Sequence, residues 1–177
     1  MKKITLILVL LIAPLVAMAQ SPFDSFENDK DVSSVVVTKN MFKLLSKMDL
    51  DSNDPEAKEY LNMVDNLNDI KIYTTDNPTV AAKMSSTVAS YIKSNGSLSE
   101  LMRVKSDGQN VKFYSKEGKN ENFVSELLMF VDGVNEGKPM TVVMSISGNI
   151  DLKQIGKLAE QLNVPGSEEL KNIKKEK

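Results

Sequence analysis

Positively charged and aromatic side chains are concentrated in one short stretch of the sequence, LMRVKSDGQNVKFYSK at residues 101–116. An Asp-Gly pair divides this stretch into two runs of alternating apolar and polar residues, a pattern that predicts a β-hairpin. Cations beside an aromatic ring on a protein surface attract anionic partners. We therefore identify one candidate partner-binding patch, which consists of Arg103, Lys105, Lys112 and Tyr114. Arg103 is the only arginine of the chain.

The alternation within the hairpin also bears on which of these side chains can act together. Arg103 and Lys105 are expected on the exposed side of their strand, together with Leu101. Met102 and Val104 are expected to point the other way. We expect only some of the four patch residues to share a face, which weakens the patch. We favour the interpretation that Arg103 is a solvated cross-strand neighbour without a role in binding, and the partner-binding patch is the functional alternative.

The sharpest candidate for a metal site is the acidic segment DLDSNDPEAKEY at residues 49–60. Asp49, Asp51 and Asn53 occupy the first, third and fifth positions of a calcium-binding loop. The second half of the segment departs from that loop, because an aspartate replaces the required glycine and a tyrosine replaces the closing glutamate. We therefore predict a loop between two helices, with Asp54 as a helix cap and no bound metal.

The composition excludes several classes of enzyme, because the chain contains neither histidine nor cysteine. Ser-His-Asp and Cys-His catalysis, imidazole and thiolate metal sites and disulfide bonds are all ruled out. Carboxylate pairs, Ser-Lys dyads and tyrosine remain available, but none appears with a diagnostic spacing. The sequence also has no nucleophile elbow and no phosphate-binding loop. We predict no catalytic residues and no cofactor, with a carboxylate-based hydrolase as an alternative.

Residues 1–19 read as a secretory signal peptide, with two lysines before an apolar stretch that ends in Ala17-Met18-Ala19. The apolar stretch is shorter than the roughly 20 residues that a membrane-spanning helix needs. We expect cleavage before Gln20 and an exported protein that is soluble in the periplasm or outside the cell. Without cysteine, the new N-terminus cannot carry a thioether-linked lipid. The net charge of −2 argues against a general binder of nucleic acids.

The rest of the sequence predicts a single domain at residues 32–164, with a flexible lead-in at residues 20–31 and a short helix or tail at residues 165–177. Hydrophobic periodicity indicates the order β-α-α-β-α-β-β-β-β-α within the domain. The third helix has the clearest limits. It is expected to begin after Asn77 as N-cap, with a proline in its first turn, and to end at Asn95-Gly96.

Consecutive strands in the second half of the chain predict a four-stranded antiparallel meander, which the N-terminal strands extend. We expect an α+β fold, in which helices cover one face of a mainly antiparallel sheet. The other face is then expected to be open to solvent. In the last strand, we therefore expect one alternating set of residues on the solvent-exposed face, namely Thr141, Val143, Ser145 and Ser147.

A family resemblance rests on the segments VVVTKNMFKLL, LSELMRVKSDGQNVKFYSKEG and SISGNIDLKQIGKLAEQLNVPG. These segments are similar to the domain of unknown function 4252 family, an uncharacterised group of exported bacterial proteins and lipoproteins. The resemblance covers nearly all of the chain from Val32 onward and implies a role in the cell envelope. It supplies no reaction and no catalytic residues. A lipid anchor does not carry over, because the chain has no lipobox cysteine.

The sequence thus predicts an exported, non-enzymatic protein-interaction or structural module. Its expected partner is another envelope protein, and we expect neither nucleic acid nor a stable membrane anchor. The first alternative is a small-ligand carrier, which requires a sizeable pocket between the sheet and the helices.

Overall fold

The computed structural model describes residues 21–45, 47, 61–62, 64–106, 108–135 and 137–151. The proposed signal peptide, the acidic segment at residues 49–60 and the proposed last helix and tail lie outside the described residues. In chain order, the elements are a 3₁₀ helix at Pro22–Phe26, β1 at Ser33–Thr38, α1 at Lys39–Leu45, β2 at Leu67–Thr75, α2 at Pro78–Ser94, β3 at Leu98–Ser106, β4 at Gln109–Glu117, β5 at Phe123–Asn135 and β6 at Lys138–Asp151.

The strands form one six-stranded antiparallel sheet with the order β1-β2-β6-β5-β4-β3. β3 to β6 pair as consecutive neighbours, which confirms the predicted meander. β2 pairs with β6 on the far side of the meander and carries β1 on its own outer side. The predicted fold class, α+β with a mainly antiparallel sheet, is therefore confirmed.

The helix α2 begins and ends as the sequence predicts. The side chain of Asn77 accepts hydrogen bonds from the backbone N–H groups of Thr79 and Val80, which otherwise have no partner at a helix N-terminus. Val80, Met84 and Val88 recur every four residues, so they form one buried stripe along the helix. This stripe packs α2 onto the sheet.

The face of the sheet that α2 and the 3₁₀ helix cover is here called the α2 face. Phe23 and Phe26 of the 3₁₀ helix are buried on it, in one cluster with Tyr73 of β2. The ring of Phe23 meets the ring of Tyr91 edge-on, with a distance of 5.3 Å between the ring centroids. The prediction that residues 20–31 form a flexible lead-in is therefore wrong, since these two aromatic side chains anchor the described part of that segment.

The opposite face of the sheet, here called the α1 face, carries a second buried apolar cluster. Phe42 of α1 and Met129 of β5 belong to it. Side chains alternate between the faces along a strand, so Thr141, Val143 and Ser145 of β6 belong to the α2 face. All three are buried. The expectation that they face solvent is wrong, because helical segments and side chains pack on both faces of the central strands.

The β3–β4 hairpin turns at Gly108, between the paired residues Ser106 and Gln109. Gly108 has a φ of 78°, the left-handed conformation that a type I′ turn requires. Gly133 of β5 lies next to this turn, and a Cβ atom added there would be 2.4 Å from the backbone oxygen of Gly108. Gly108 therefore permits the turn, and Gly133 allows β5 to run beside it.

Candidate functional site

The four residues of the predicted patch lie on the adjacent strands β3 and β4. Arg103 is directly opposite Lys112, and Lys105 is directly opposite Asn110. Opposite residues of an antiparallel pair point to the same side, as do residues two apart on one strand. Tyr114 belongs to the cluster on the α2 face, so Arg103, Lys105 and Lys112 lie on that face too.

The expectation that only some of these residues share a face is therefore wrong. Alternation shows which residues of one strand share a face, but it does not show which residues of the neighbouring strand lie on that same face. The two-residue turn sets that relation, because it opposes Ser106 to Gln109 and thereby Arg103 to Lys112.

A β-bulge in β3 overturns a second detail of the sequence analysis. The register of the β3–β4 ladder shifts between Glu100 and Met102. Leu101 and Met102 both pack against the cluster on the α1 face, so Leu101 does not accompany Arg103 as strict alternation predicts. An extra residue of this kind re-aims the side chains before it. It places Glu100 opposite Tyr114 and on the same face as Arg103.

Arg103 forms an exposed ion pair within the patch. Its Nη2 atom donates to the Oε2 atom of Glu100 at 2.7 Å, and the two side chains are 55% and 37% exposed. The hydrogen bond to Glu100 and the charge of its carboxylate raise the pKa of Arg103 above its ordinary value. Water screens an ion pair this exposed, so it contributes little to stability. Its main effect is to orient the guanidinium group.

Tyr114 differs from the other patch residues because it is buried. Its ring packs in the cluster on the α2 face together with Leu128 and Phe130. Burial raises the pKa of Tyr114, the charge of Glu100 raises it further, and Arg103 opposes the shift. Tyr114 therefore packs in the core beside the patch and does not offer an aromatic surface to a partner. We restrict the term basic patch to Arg103, Lys105 and Lys112.

The basic patch contains three cations, of which Arg103 alone has an ion-pair partner among the described residues. Two of its cations, Arg103 and Lys112, are directly opposite each other, and like charges in this position destabilise a sheet. Glu100 offsets the charge of Arg103. Among the described residues, no carboxylate forms an ion pair with Lys105 or Lys112. An anionic group can therefore bind here and relieve the repulsion.

A second polar arrangement, which the sequence analysis missed, crosses the α2 face at the end of the sheet away from the β3–β4 turn. Lys116 of β4, Glu126 of β5, Ser147 of β6 and Asp69 of β2 are successive neighbours in the ladders. We call these four residues the polar row. The Oγ atom of Ser147 donates to the Oδ2 atom of Asp69 at 2.7 Å.

Glu126 in the polar row is tied to the helix above it. The hydroxyl group of Tyr91 lies 2.9 Å and 3.0 Å from the two carboxylate oxygens of Glu126 and donates to them. Burial raises the pKa of Glu126, the hydrogen bond from Tyr91 and the charge of Lys116 lower it, and Asp69 raises it. Burial has the largest effect on Tyr91 and the charge of the Glu126 carboxylate the second largest, and together they raise the pKa of Tyr91 to about 12.

The Tyr91–Glu126 contact fastens α2 to β5. A carboxyl group with a raised pKa can hold a proton for acid–base chemistry, but here both carboxylate oxygens face the tyrosine hydroxyl, as suits a structural anchor. The sequence signal that could have indicated this contact was the single glutamate inside the apolar run FVSELLMFV of β5. A charged residue at such a position needs a partner when the strand is covered.

The 3₁₀ helix has a polar anchor of its own on the same face. Lys71 of β2 forms an ion pair with Asp24. Nearby, the hydroxyl group of Tyr73 is buried and has no hydrogen-bond partner among the described residues. Burial, followed by the charges of Asp24 and Glu27, raises the pKa of Tyr73 to about 12. This hydroxyl group therefore stays neutral in the folded protein.

One cleft among the described residues differs in its lining from the pocket that a small-ligand carrier needs. This cleft of about 460 Å³ at the end of the sheet is lined mainly by polar side chains, among them Lys39, Asp65 and Asn68. Carrier pockets are mostly apolar. Between α2 and the sheet, fully buried side chains such as Met84 and Leu128 fill the space.

The part of the chain that the structure describes has neither a metal-binding cluster of acidic side chains nor a membrane-spanning helix. That part contains no group of three or more acidic residues placed to hold a metal ion. None of its helices combines the length and the apolar character needed to cross a membrane. The candidate calcium segment at residues 49–60 lies outside the described ranges, so its predicted lack of metal stays a prediction.

Comparison with known proteins adds one finding to this geometry. A family model described as a domain of unknown function, DUF4252, matches residues 26–158. Neither the curated proteins nor the solved structures give a significant match. The matched residues include β1 to β6, α1, α2, the basic patch and the polar row. Because the match covers most of the sequence, the chain belongs to the DUF4252 family of domains of unknown function, as its three characteristic segments predicted.

Proposed function

We propose that this protein is an exported, non-enzymatic interaction module and that its basic patch binds an acidic region of another envelope protein. The observation that carries the proposal is the position of Arg103 directly opposite Lys112, with Lys105 on the same face. Like charges opposite each other disfavour the folded state, and Glu100 offsets this repulsion only in part, so a further anion can reduce it. A surface with unrelieved repulsion between cations is suited to binding an anionic partner.

The chemistry of Arg103 supports a carboxylate-bearing partner. A guanidinium group is planar and can bind a carboxylate through two parallel hydrogen bonds. In the free protein, Glu100 occupies one side of this group. A partner carboxylate can replace Glu100 or bind beside it, and Lys105 and Lys112 supply further attraction. β3 is the outermost strand on its side of the sheet, so a partner can approach without displacing α2.

The proposed location and the proposed lack of catalysis rest on the sequence. The pattern of residues 1–19 supports export, and the lack of histidine and cysteine narrows the available enzyme chemistry. The alternative of a carboxylate-based hydrolase directs attention to Glu126, the described carboxyl group with a raised pKa. Under our proposal, Glu126→Gln leaves partner binding unchanged.

Charge reversal tests the proposal directly. The double variant Lys105→Glu/Lys112→Glu reverses two charges of the basic patch. Lys30→Glu/Lys47→Glu is the matched control, because it makes the same charge change at two exposed lysines outside β3 and β4. Each tagged protein is used to capture partners from its native envelope, and quantitative mass spectrometry compares the captured proteins.

We expect an acidic envelope protein that the wild type and the control variant capture in equal amounts and that the patch variant loses. Circular dichroism and thermal melting verify that both variants are folded. If the patch variant captures the same proteins in the same amounts as the control variant, the basic patch is not the binding site and the proposal is wrong.

A further inference from the structure

The two edges of the sheet differ in how they are protected against pairing with another strand. Edge strands usually carry charges, prolines or bulges that discourage such pairing. β3 has these devices, since it carries Glu100, Arg103 and Lys105 and contains a bulge. β1, with the sequence SSVVVT at Ser33–Thr38, has no charge and no proline, and its ladder with β2 is regular. β1 is therefore an unprotected edge.

Among the described residues, no second strand pairs with the outer side of β1. The strand pairs only with β2 among the described strands. Within the described residues, no backbone hydrogen bond outside this ladder involves Ser33–Thr38. A strand in this situation presents unpaired N–H and C=O groups at regular intervals, which another extended strand can satisfy.

Exposed apolar side chains are concentrated at the same edge. The described residues include four large hydrophobic side chains that are exposed. Val35 lies on β1, while Met41 and Leu44 lie on α1, which follows β1 directly; the fourth, Val134, lies at the far end of β5. Val35 is opposite Ile72 of β2, a residue that packs against the cluster on the α1 face. Three of the four exposed apolar side chains among the described residues therefore belong to β1 or to the helix that follows it.

The sequence of β1 is complementary to itself in an antiparallel arrangement. When a two-fold axis passes through Val36, Val35 faces Val37 of the second copy and Ser34 faces Thr38 of the second copy. Valine–valine and hydroxyl–hydroxyl pairs stabilise neighbouring strands, and no like charges oppose each other within the strand. Val35 and Val37 lie on the same face, so the pairing preserves the faces of the sheet.

We propose that β1 is a self-association site, at which two copies of this chain pair antiparallel and join their six-stranded sheets into one continuous sheet. The pairing covers Val35 with Val37 of the second copy and extends the α1 face across the axis. This inference does not depend on the basic patch, which lies at the opposite edge of the sheet.

Lysine substitution at two matched valines tests the proposal. Val35 and Val134 are 54% and 43% exposed, so neither substitution removes a buried side chain. A lysine at position 35 places a charge on the proposed interface, while a lysine at position 134 does not. Sedimentation velocity and light scattering over a range of protein concentrations give the dissociation constant of the dimer for the exported protein and both variants.

We expect the wild type and Val134→Lys to form dimers with the same dissociation constant, and Val35→Lys to raise that constant by at least about tenfold. The proposal is overturned if the wild type stays monomeric at all concentrations. It is also overturned if the two variants weaken the dimer equally or if Val35→Lys has no effect. The wild type would stay monomeric, for example, if β1 paired with a strand of a different protein.

A cysteine cross-link tests the register, since the natural chain contains no cysteine. Val36 lies on the proposed axis, where its Cβ atom and that of the second copy are expected to be about 4.5–5.5 Å apart. Mild oxidation should therefore link Val36→Cys chains into covalent dimers. Val134→Cys chains are the control and should stay unlinked. Equal cross-linking of both variants would contradict the register.

Discussion

Arg103 of β3 and Lys112 of β4 are directly opposite each other in the sheet, although both are positively charged. Glu100 offsets part of this charge, because it forms an ion pair with Arg103. The register that produces the arrangement follows from the two-residue turn at Gly108. The hairpin therefore combines a well-defined turn with a charge distribution that an isolated sheet would avoid.

Reversing one of these charges should separate stability from binding. Lys112→Glu places a carboxylate directly opposite Arg103, so the denaturation midpoint should stay the same or rise while partner capture falls. Lys116→Glu is the matched control on the same strand. It places a second carboxylate directly opposite Glu126, so it should lower the midpoint. Urea denaturation of both variants checks this, and equal losses of stability would contradict the cross-strand arrangement.

The turn itself can be tested with two glycine-to-alanine substitutions. Neither Gly108 nor Gly96 has an atom within 4 Å of an added Cβ atom, but only Gly108 of the two has a positive φ, at 78°. Gly108→Ala should therefore destabilise the protein by about 1–2 kcal/mol through backbone strain. Gly96→Ala should be neutral or stabilising. The free energy of unfolding of each variant is the measurement, and similar values for both would show that the conformation of Gly108 does not matter.

The sequence predicted the elements whose signals are local. Asn77 and the proline after it marked the start of α2 because capping involves only neighbouring residues. The Asp-Gly pair likewise marked the β3–β4 turn. The bulge at Leu101 was missed because the prediction assumed strict alternation through the strand, whereas the consecutive residues Leu101 and Met102 both pack on the α1 face.

Features that depend on distant partners could not be read from the sequence in the same way. Phe23 and Phe26 stand in a polar segment without periodicity, and their burial depends on residues such as Tyr73 and Tyr91. The position of Glu126 in a covered strand is explained by its hydrogen bond from Tyr91, which lies 35 residues earlier in the chain. For the candidate site, the common face of Arg103, Lys105 and Lys112 depends on the register of the hairpin, and the burial of Tyr114 depends on the packing of α2.

Tyr73 and Tyr91, which both pack on the α2 face, provide a matched pair of substitutions. Tyr73→Phe removes a buried hydroxyl group without a partner among the described residues, so stability should stay the same or rise. Tyr91→Phe removes the hydroxyl group that donates to Glu126, so it should cost about 1–2 kcal/mol. Denaturation at neutral pH measures both. A larger loss for Tyr73→Phe than for Tyr91→Phe would contradict the assigned anchors.

Glu126 should make stability depend on pH in a defined direction. Its folded-state pKa is raised above the ordinary 4.5, so the folded protein holds this proton more tightly than the unfolded chain does. The resulting stabilisation is fully present below pH 4.5 and is lost as the pH rises through the folded-state pKa. Glu126→Gln should remove this part of the dependence.

Unfolding measured from about pH 4 to 8 tests the direction, since ordinary carboxyl groups titrate at the low end of that range. Carbon-13 NMR of the glutamate carboxyl groups follows Glu126 itself. Tyr91→Phe provides an internal check, because the hydrogen bond from Tyr91 lowers the pKa of Glu126 and its loss should raise that pKa further. A fall in the pKa of Glu126 in this variant would contradict the assigned causes.

The most direct test of the central claim is the affinity of the captured envelope partner for three purified proteins over a range of salt concentrations. Wild type and Lys30→Glu/Lys47→Glu should bind the partner alike, and their affinity should fall as salt screens the charges. Lys105→Glu/Lys112→Glu should bind at least about tenfold more weakly and show little dependence on salt. Equal affinities for the two double variants, or binding by wild type that does not respond to salt, would contradict the basic patch as the binding site.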